Sequence, residues 1–182
     1  MKLRLIAGRY GGRALDAPSG TRTHPMSERV RNALFNSIAA DLDGAVVLDA
    51  FAGTGALGLE ALSRGAAQVT FVERDRVARS CINNNITTLD VEKQTTVIGS
   101  SVTSWIESRR DDAKFDIIFA DPPYHDEQFS TVRRLFALLK PGALMVLSHT
   151  GRGEVPIQDE IVVVDNRSYG TAHLTFFRQD ST

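Results

Sequence analysis

The stretch AVVLDAFAGTGALGLEALSRG, residues 45–65, sets the fold. It opens on a short apolar run, Ala45 to Leu48, that stops at Asp49. A strand buried on both faces reads this way. From Gly55 the residues favour a helix, which closes on Gly65 in the C-cap position. Between strand and helix, Gly53, Gly55 and Gly58 follow G-x-G-x-x-G. Glycines here let the backbone turn tightly and let a ligand approach without a Cβ clash. Glu73 lies 20 residues after Gly53, at the end of the apolar run QVTFVE, where an acid can accept both hydroxyls of a ribose.

The same alternation continues on both sides. Ser27 is placed to N-cap a helix through about Ala40, with Val30, Leu34 and Ile38 on one face. Asp75 opens a helix carrying Val77, Cys81, Ile82, Ile86 and Leu89. TTVIG reads as a third strand, VTSWIESRR as a short helix and FDIIFA as a fourth strand. FSTVRRLFALLK is an amphipathic helix stopped by Pro141-Gly142, and ALMVLSH is a fifth strand. The last segment, 160–178, gives two strands around Tyr169-Gly170. Nearly all-apolar strands alternating with helices predict a doubly wound, mostly parallel α/β sheet covered on both faces, closed by an antiparallel hairpin. Ahead of it, residues 2–7 and 13–17 alternate around GRYGGR, as a small hairpin does. Two units are expected: a basic N-terminal extension, 1–40, and a cofactor-binding domain, 41–182.

Ligands of such sheets sit at the carboxyl ends of the strands. The candidates there are Asp49, Phe51, Gly53, Thr54 and Gly55 after the first strand, Glu73 after the second, and Ser101 and Val102 after the third, with a hydroxyl or N–H for an adenine edge. The glycine motif alone fits a dinucleotide as well as a nucleoside cofactor. Asp49 tilts the choice. It would repel a pyrophosphate but favour the ammonium and sulfonium of S-adenosylmethionine. A valine at Gly55 is expected to block that cofactor and leave the fold largely intact.

The fourth strand ends on Asp121-Pro122-Pro123-Tyr124. Prolines lack an N–H and fix φ, so this loop presents acceptors in a rigid frame. An exocyclic base amine has two N–H donors and a delocalised lone pair. Acceptors on both can orient it and stabilise the positive charge that develops as it is alkylated. Tyr124 offers a face for base stacking, worth ~1–3 kcal/mol. No metal is required. Cys81, the one cysteine, allows no intrachain disulfide and is expected to be buried and inert.

Charge is uneven. Residues 1–31 hold seven Lys and Arg against two acids, +5; the remainder holds 14 against 20, −6. A basic arm on an acidic body suits a polyanion met by one face. No run reaches the length of a membrane span and no signal peptide is read at the N-terminus, so a cytoplasmic protein is expected.

RLIAGRYGGRAL, SERVRNALFN, LDAFAGTGALGLEALSRGA and FADPPY together resemble the RsmD-type bacterial 16S rRNA guanine-N2 methyltransferases. The resemblance implies a Rossmann-like class I fold, S-adenosylmethionine as cofactor, Asp121 to Tyr124 as the catalytic loop, and 16S rRNA or the assembling small subunit as partner of a monomer. It favours Arg9, Arg13 and Arg22 as RNA contacts, with Tyr10 stacking; Arg29 and Arg31 read equally well as helix-surface charges. The chain departs from the family in TRTHPMSERVR, where relatives carry Arg-Pro-Thr, and at Ser101, where many carry an acid or amide. Two other readings stay open: a DNA adenine-N6 methyltransferase, since D-P-P-Y occurs there too, and a non-catalytic RNA-binding protein with a relic cofactor fold.

Overall fold

The computed structural model describes residues 3–19 and 25–180. Arg22 lies outside them, within residues 20–24. A two-stranded hairpin, β1 (Leu3–Arg4) with β2 (Ala14–Leu15), comes first. Then follow α1 (Glu28–Ser37), α2 (Ala39–Leu42), β3 (Val46–Ala50), α3 (Ala56–Ser63), β4 (Gln68–Val72), α4 (Arg76–Leu89), β5 (Thr95–Ile98), α5 (Val102–Ser108), β6 (Phe115–Ala120), α6 (Phe129–Leu135), β7 (Leu139–His149), β8 (Ile161–Tyr169) and β9 (Ala172–Gln179).

The seven-stranded sheet has the order β5-β4-β3-β6-β7-β9-β8. β3 to β7 run parallel, and β9 is antiparallel to both β7 and β8. The order reverses between β3 and β6. Their register pairs Asp49 with Phe119 and Ala50 with Ala120, so the loops after both strands leave the sheet side by side. The predicted doubly wound sheet and closing hairpin are therefore both present.

One core lies under α1, α3, α4 and the N-terminal hairpin; it joins Leu3, Leu5 and Leu15 to Leu34, Leu59, Phe71 and Phe119. The other lies under α5 and α6. The hairpin's backbone is satisfied by α3. Ile6 and Ala7 donate to the Glu60 carboxylate at 2.9 and 3.1 Å, Arg9 donates to the Ser63 carbonyl, and Tyr10 to its hydroxyl. Gly8, at φ +82°, lies so close that a Cβ would sit 1.9 Å from the Ser63 carbonyl oxygen.

Four expectations change. Arg31 is not a surface charge: it is 1% exposed, beside the buried Glu60, and Arg64 bonds the same carboxylate at 2.8 Å. Val77 is 58% exposed, because α4 turns Ala78, Ile82, Asn85, Ile86 and Leu89 inward instead. Cys81, beside that face, is only half-buried. Its thiol is pushed up by partial burial and by Asp16 and Asp75, which disfavours the thiolate. Finally, α6 stops at Leu135 and β7 already begins at Leu139, carrying Pro141 and Gly142 within the strand. The register with β6 shifts there, between Phe115 and Ile117, which accommodates them.

Candidate active site

Asp49, the penultimate residue of β3, is fully buried, and its Oδ2 accepts the N–H of Gly58 at 2.9 Å, inside the first turn of α3. The loop between them is tightly wound. Phe51 has φ +56°, a left-handed conformation that is rare for a bulky side chain and strained where it occurs. Gly53 and Gly55 also have positive φ. The buried Thr54 accepts the Ala56 N–H through its hydroxyl, and the Gly55 N–H reaches the Ala52 carbonyl. The glycines differ in function. A Cβ on Gly53 would meet only the Phe51 carbonyl, 4.0 Å away, so this backbone borders open space. A Cβ on Gly58 would sit 2.4 Å from the Phe71 ring, so its bareness lets α3 pack on β4. At Gly55 a Cβ would meet Ile82 Cγ1 at 3.1 Å with φ +78°. A valine there strains the fold, contrary to expectation; Gly53 has open space for a side chain, but its φ of +56° strains any residue other than glycine.

Glu73, at the end of β4, accepts the Gly53 N–H at 3.3 Å and the Asp75 N–H at 3.4 Å. At the end of β5, Ser101 caps α5 through its hydroxyl, which accepts the Ser104 N–H at 3.1 Å, and Val102 is buried beneath it. β5, β4, β3 and β6 are neighbours in the sheet and run parallel, so their carboxyl ends lie side by side.

Asp121 follows directly on Ala120, next to Phe51 by register. Pro122 is buried, Pro123 half-buried, and Tyr124 is 47% exposed. The Asp126 N–H closes the turn on the Pro123 carbonyl at 3.0 Å. Burial pushes the Asp121 carboxyl up to about 6, partly opposed by a hydrogen bond from Ser148 on β7. The same serine bonds Tyr124, whose phenol is raised chiefly by burial. Asp49 is raised well above the usual carboxylate range, by burial first and then by Asp121 and Glu73; Glu73 is raised too, mainly by burial. Three carboxyl groups whose ionisation is disfavoured therefore stand at the ends of three neighbouring strands. A cation placed among them would lower all three.

Sequence reasoning missed two participants. Ser148 carried no motif. His149 carries no motif either, yet it orders the neighbouring loop. The Gly151 N–H donates to His149 Nδ1 at 3.1 Å, which fixes the proton on Nε2; that nitrogen donates to Thr175 Oγ1 at 2.8 Å, and Thr175 in turn to Asn166. Arg9 and Arg13 lie elsewhere. The turn that holds Arg9 is fastened to Ser63 at the far end of α3, and Arg13 donates to the Thr88 carbonyl near the end of α4. Both helix ends face the amino ends of the strands, about 16 Å from the glycine loop across five residues of β3.

The sheet order, the glycine loop at the switch point and the adjacent Asp-Pro-Pro-Tyr loop define a class I S-adenosylmethionine-dependent methyltransferase. A family model described as "Conserved hypothetical protein 95" matches residues 3–178. The chain is 35% identical over 151 residues to the ribosomal RNA small subunit methyltransferase D of Haemophilus influenzae, covering 79% of this chain and 77% of that one. It is 31% identical to a Bacillus subtilis protein named "Putative rRNA methyltransferase YlbH", over 97% of this chain and 99% of the relative. A solved structure described as "Putative methyltransferase yhhF from Escherichia coli" superposes over 100% of both chains with a TM-score of 0.89 and 30% identity. The chain belongs to the RsmD-type family of small-subunit rRNA methyltransferases.

Proposed function

We propose that this protein transfers a methyl group from S-adenosylmethionine to the exocyclic N2 amine of a guanine in small-subunit ribosomal RNA. The observation that carries the reading is the meeting of Asp49, Glu73 and Asp121, each held toward its protonated form, at the point where the sheet order reverses. When bound, the cofactor supplies a methyl carbon on a cationic sulfur, which leaves with the C–S electron pair. The residues present suit such a group. Gly53 leaves open backbone, with Phe51, Thr54 and Gly55 shaping the loop around it. Glu73 has the acceptors for ribose hydroxyls, and Ser101 and Val102 border the position for an adenine edge.

Asp121 and the Pro122 carbonyl act on the acceptor. They take the two N–H bonds of the amine, orient its lone pair toward the methyl carbon and stabilise the positive charge that grows on nitrogen as the N–C bond forms. The proton then leaves the nitrogen, with the Asp121 carboxylate as its first acceptor. Tyr124, 47% exposed, stacks on the base. Asp121 also favours guanine, whose ring N1–H it can accept; adenine has no such donor.

The extension, 1–40, contacts RNA and the domain 41–182 performs the transfer. Given where Arg9 and Arg13 lie, they act as distal phosphate contacts, about 16 Å from the glycine loop. The test is to incubate the protein with labelled cofactor and unmodified small-subunit RNA or particles, digest, and identify the methylated nucleoside by mass spectrometry. N2-methylguanosine is expected. N6-methyladenine from DNA, with no methylguanosine from ribosomal substrate, would install the DNA enzyme in its place. No transfer to any nucleic acid would favour the relic-fold reading.

A further inference from the structure

A cleft of about 510 Å³ opens beside the acceptor loop, lined by Tyr124, His125, Thr150, Arg152, Thr171 and His173. Its far wall is the segment Thr150–Gly153, and nearly every polar group of that wall is held. The Thr150 N–H and hydroxyl both donate to the Glu127 carboxylate at 2.9 Å. The Gly151 N–H is held by His149, and the Arg152 N–H by the Thr150 hydroxyl at 3.3 Å. Gly151 at φ +82° and Gly153 at φ +74° flank Arg152 with left-handed backbone, and a Cβ on Gly151 would lie 2.5 Å from His173 Nε2. His173 in turn stacks on His149, centroids 5.7 Å apart and planes 26° from parallel. The segment is therefore a fixed bracket, not a slack loop. Glu127 stands three residues after Tyr124, so it ties this bracket to the Asp-Pro-Pro-Tyr loop.

What the bracket displays is one guanidinium. Arg152 is exposed and, among the described residues, makes no ion pair or side-chain hydrogen bond. Across the cleft lie Tyr124 and His125, both exposed rings. A cation opposite the His125 ring, with room between for a ring system, fits one nucleotide: phosphate on the guanidinium, base in the gap, while Tyr124 serves the methylated base.

We propose that this cleft seats the nucleotide adjoining the methylated base, with its phosphate on Arg152. The proposal rests on the RNA-methylating reading above. It assigns the positioning of the strand to Arg152 and the cleft, and the chemistry to the loop next door. A flipped base needs its neighbours held so that the backbone does not recoil, and a rigid anchor one nucleotide away does this at least entropic cost.

The experiment measures steady-state methylation of small-subunit RNA and S-adenosylhomocysteine binding for wild type, Arg152→Ala, Arg152→Lys and Thr171→Trp. Both positions are exposed, so the variants are expected to fold; Thr171→Trp fills the cleft while leaving Arg152 in the chain. The expected result is a KM for RNA raised about tenfold by Arg152→Ala and by Thr171→Trp, with kcat within about twofold and cofactor binding unchanged. Arg152→Ala should also reduce the log–log salt slope of RNA binding by ~1, and Arg152→Lys should restore much of both. An RNA KM at the wild-type level in either Arg152→Ala or Thr171→Trp overturns the subsite. Wild type that methylates no RNA overturns the functional reading instead, so the two failures are distinct.

Discussion

The carboxylate of Asp49 closes on the backbone N–H of Gly58 at 2.9 Å, so this acid caps the first turn of α3 before it serves any ligand. The two duties separate by substitution. Asp49→Ala leaves a buried N–H without a partner and should cost about 1–3 kcal/mol of stability. Asp49→Asn keeps an acceptor oxygen and should unfold near wild type, yet lose affinity for cationic S-adenosylmethionine more than for neutral-sulfur S-adenosylhomocysteine. Urea unfolding and calorimetry with both ligands check this.

The pH profile of turnover should show an acid limb set by Asp121. Its carboxyl must be ionised to accept from the amine, and in the free protein it sits at about 6. Activity, read as kcat/KM, should therefore fall as pH drops through about 6 and level off above it. Ser148 holds that value down by hydrogen bonding. Ser148→Ala should move the limb to higher pH, while the plateau of kcat/KM changes little.

Glu60 gathers the Ile6 and Ala7 N–H groups and the guanidinium groups of Arg31 and Arg64 on one buried side chain. Removing its charge takes from the enclosed Arg31 its nearest counter-charge, leaving it the Arg4 carbonyl and the more weakly felt Glu28. Glu60→Gln should destabilise the protein by roughly 3–5 kcal/mol, and amide exchange at Ile6 and Ala7 should quicken more than at the strands. Arg31→Met, which removes the cation as well, should recover part of the loss in the double variant.

Neutralising Arg9 and Arg13 should flatten the salt dependence of RNA binding by up to ~1 in log–log slope for each, with cofactor affinity unchanged. An unaltered slope would reduce the turn at Gly8 to Gly12 to a structural element.

Much of this was legible in the residues. The strands around Asp49, Glu73 and Asp121 are short apolar runs bounded by polar residues, and such runs have one reading in an alternating chain. The glycine loop and the Asp-Pro-Pro-Tyr loop are local motifs, so their place at the strand ends followed. What stayed hidden depends on contacts far apart in sequence. Arg31 looks like any helix-surface arginine until Glu60 is brought beside it. Val77 sits at helical spacing with Cys81, yet α4 is rotated so that Ala78 and Asn85 face inward. Pro141-Gly142 reads as the stop of a helix, although the chain had already entered β7 and carries both residues at a register shift. His149 and Ser148 act through partners on β9, the 150–153 segment and the acceptor loop, which no spacing rule links.

The fastening of the hairpin to α3 has a consequence during synthesis. Ile6 leaves the ribosome 54 residues ahead of the Glu60 that will receive its N–H. At ~5–20 residues per second, the hairpin waits roughly 3–11 s for its partner. The hairpin thus emerges ahead of α3 and cannot settle until α3 has followed it. Through that interval a basic, unpacked arm is free beside the translation machinery.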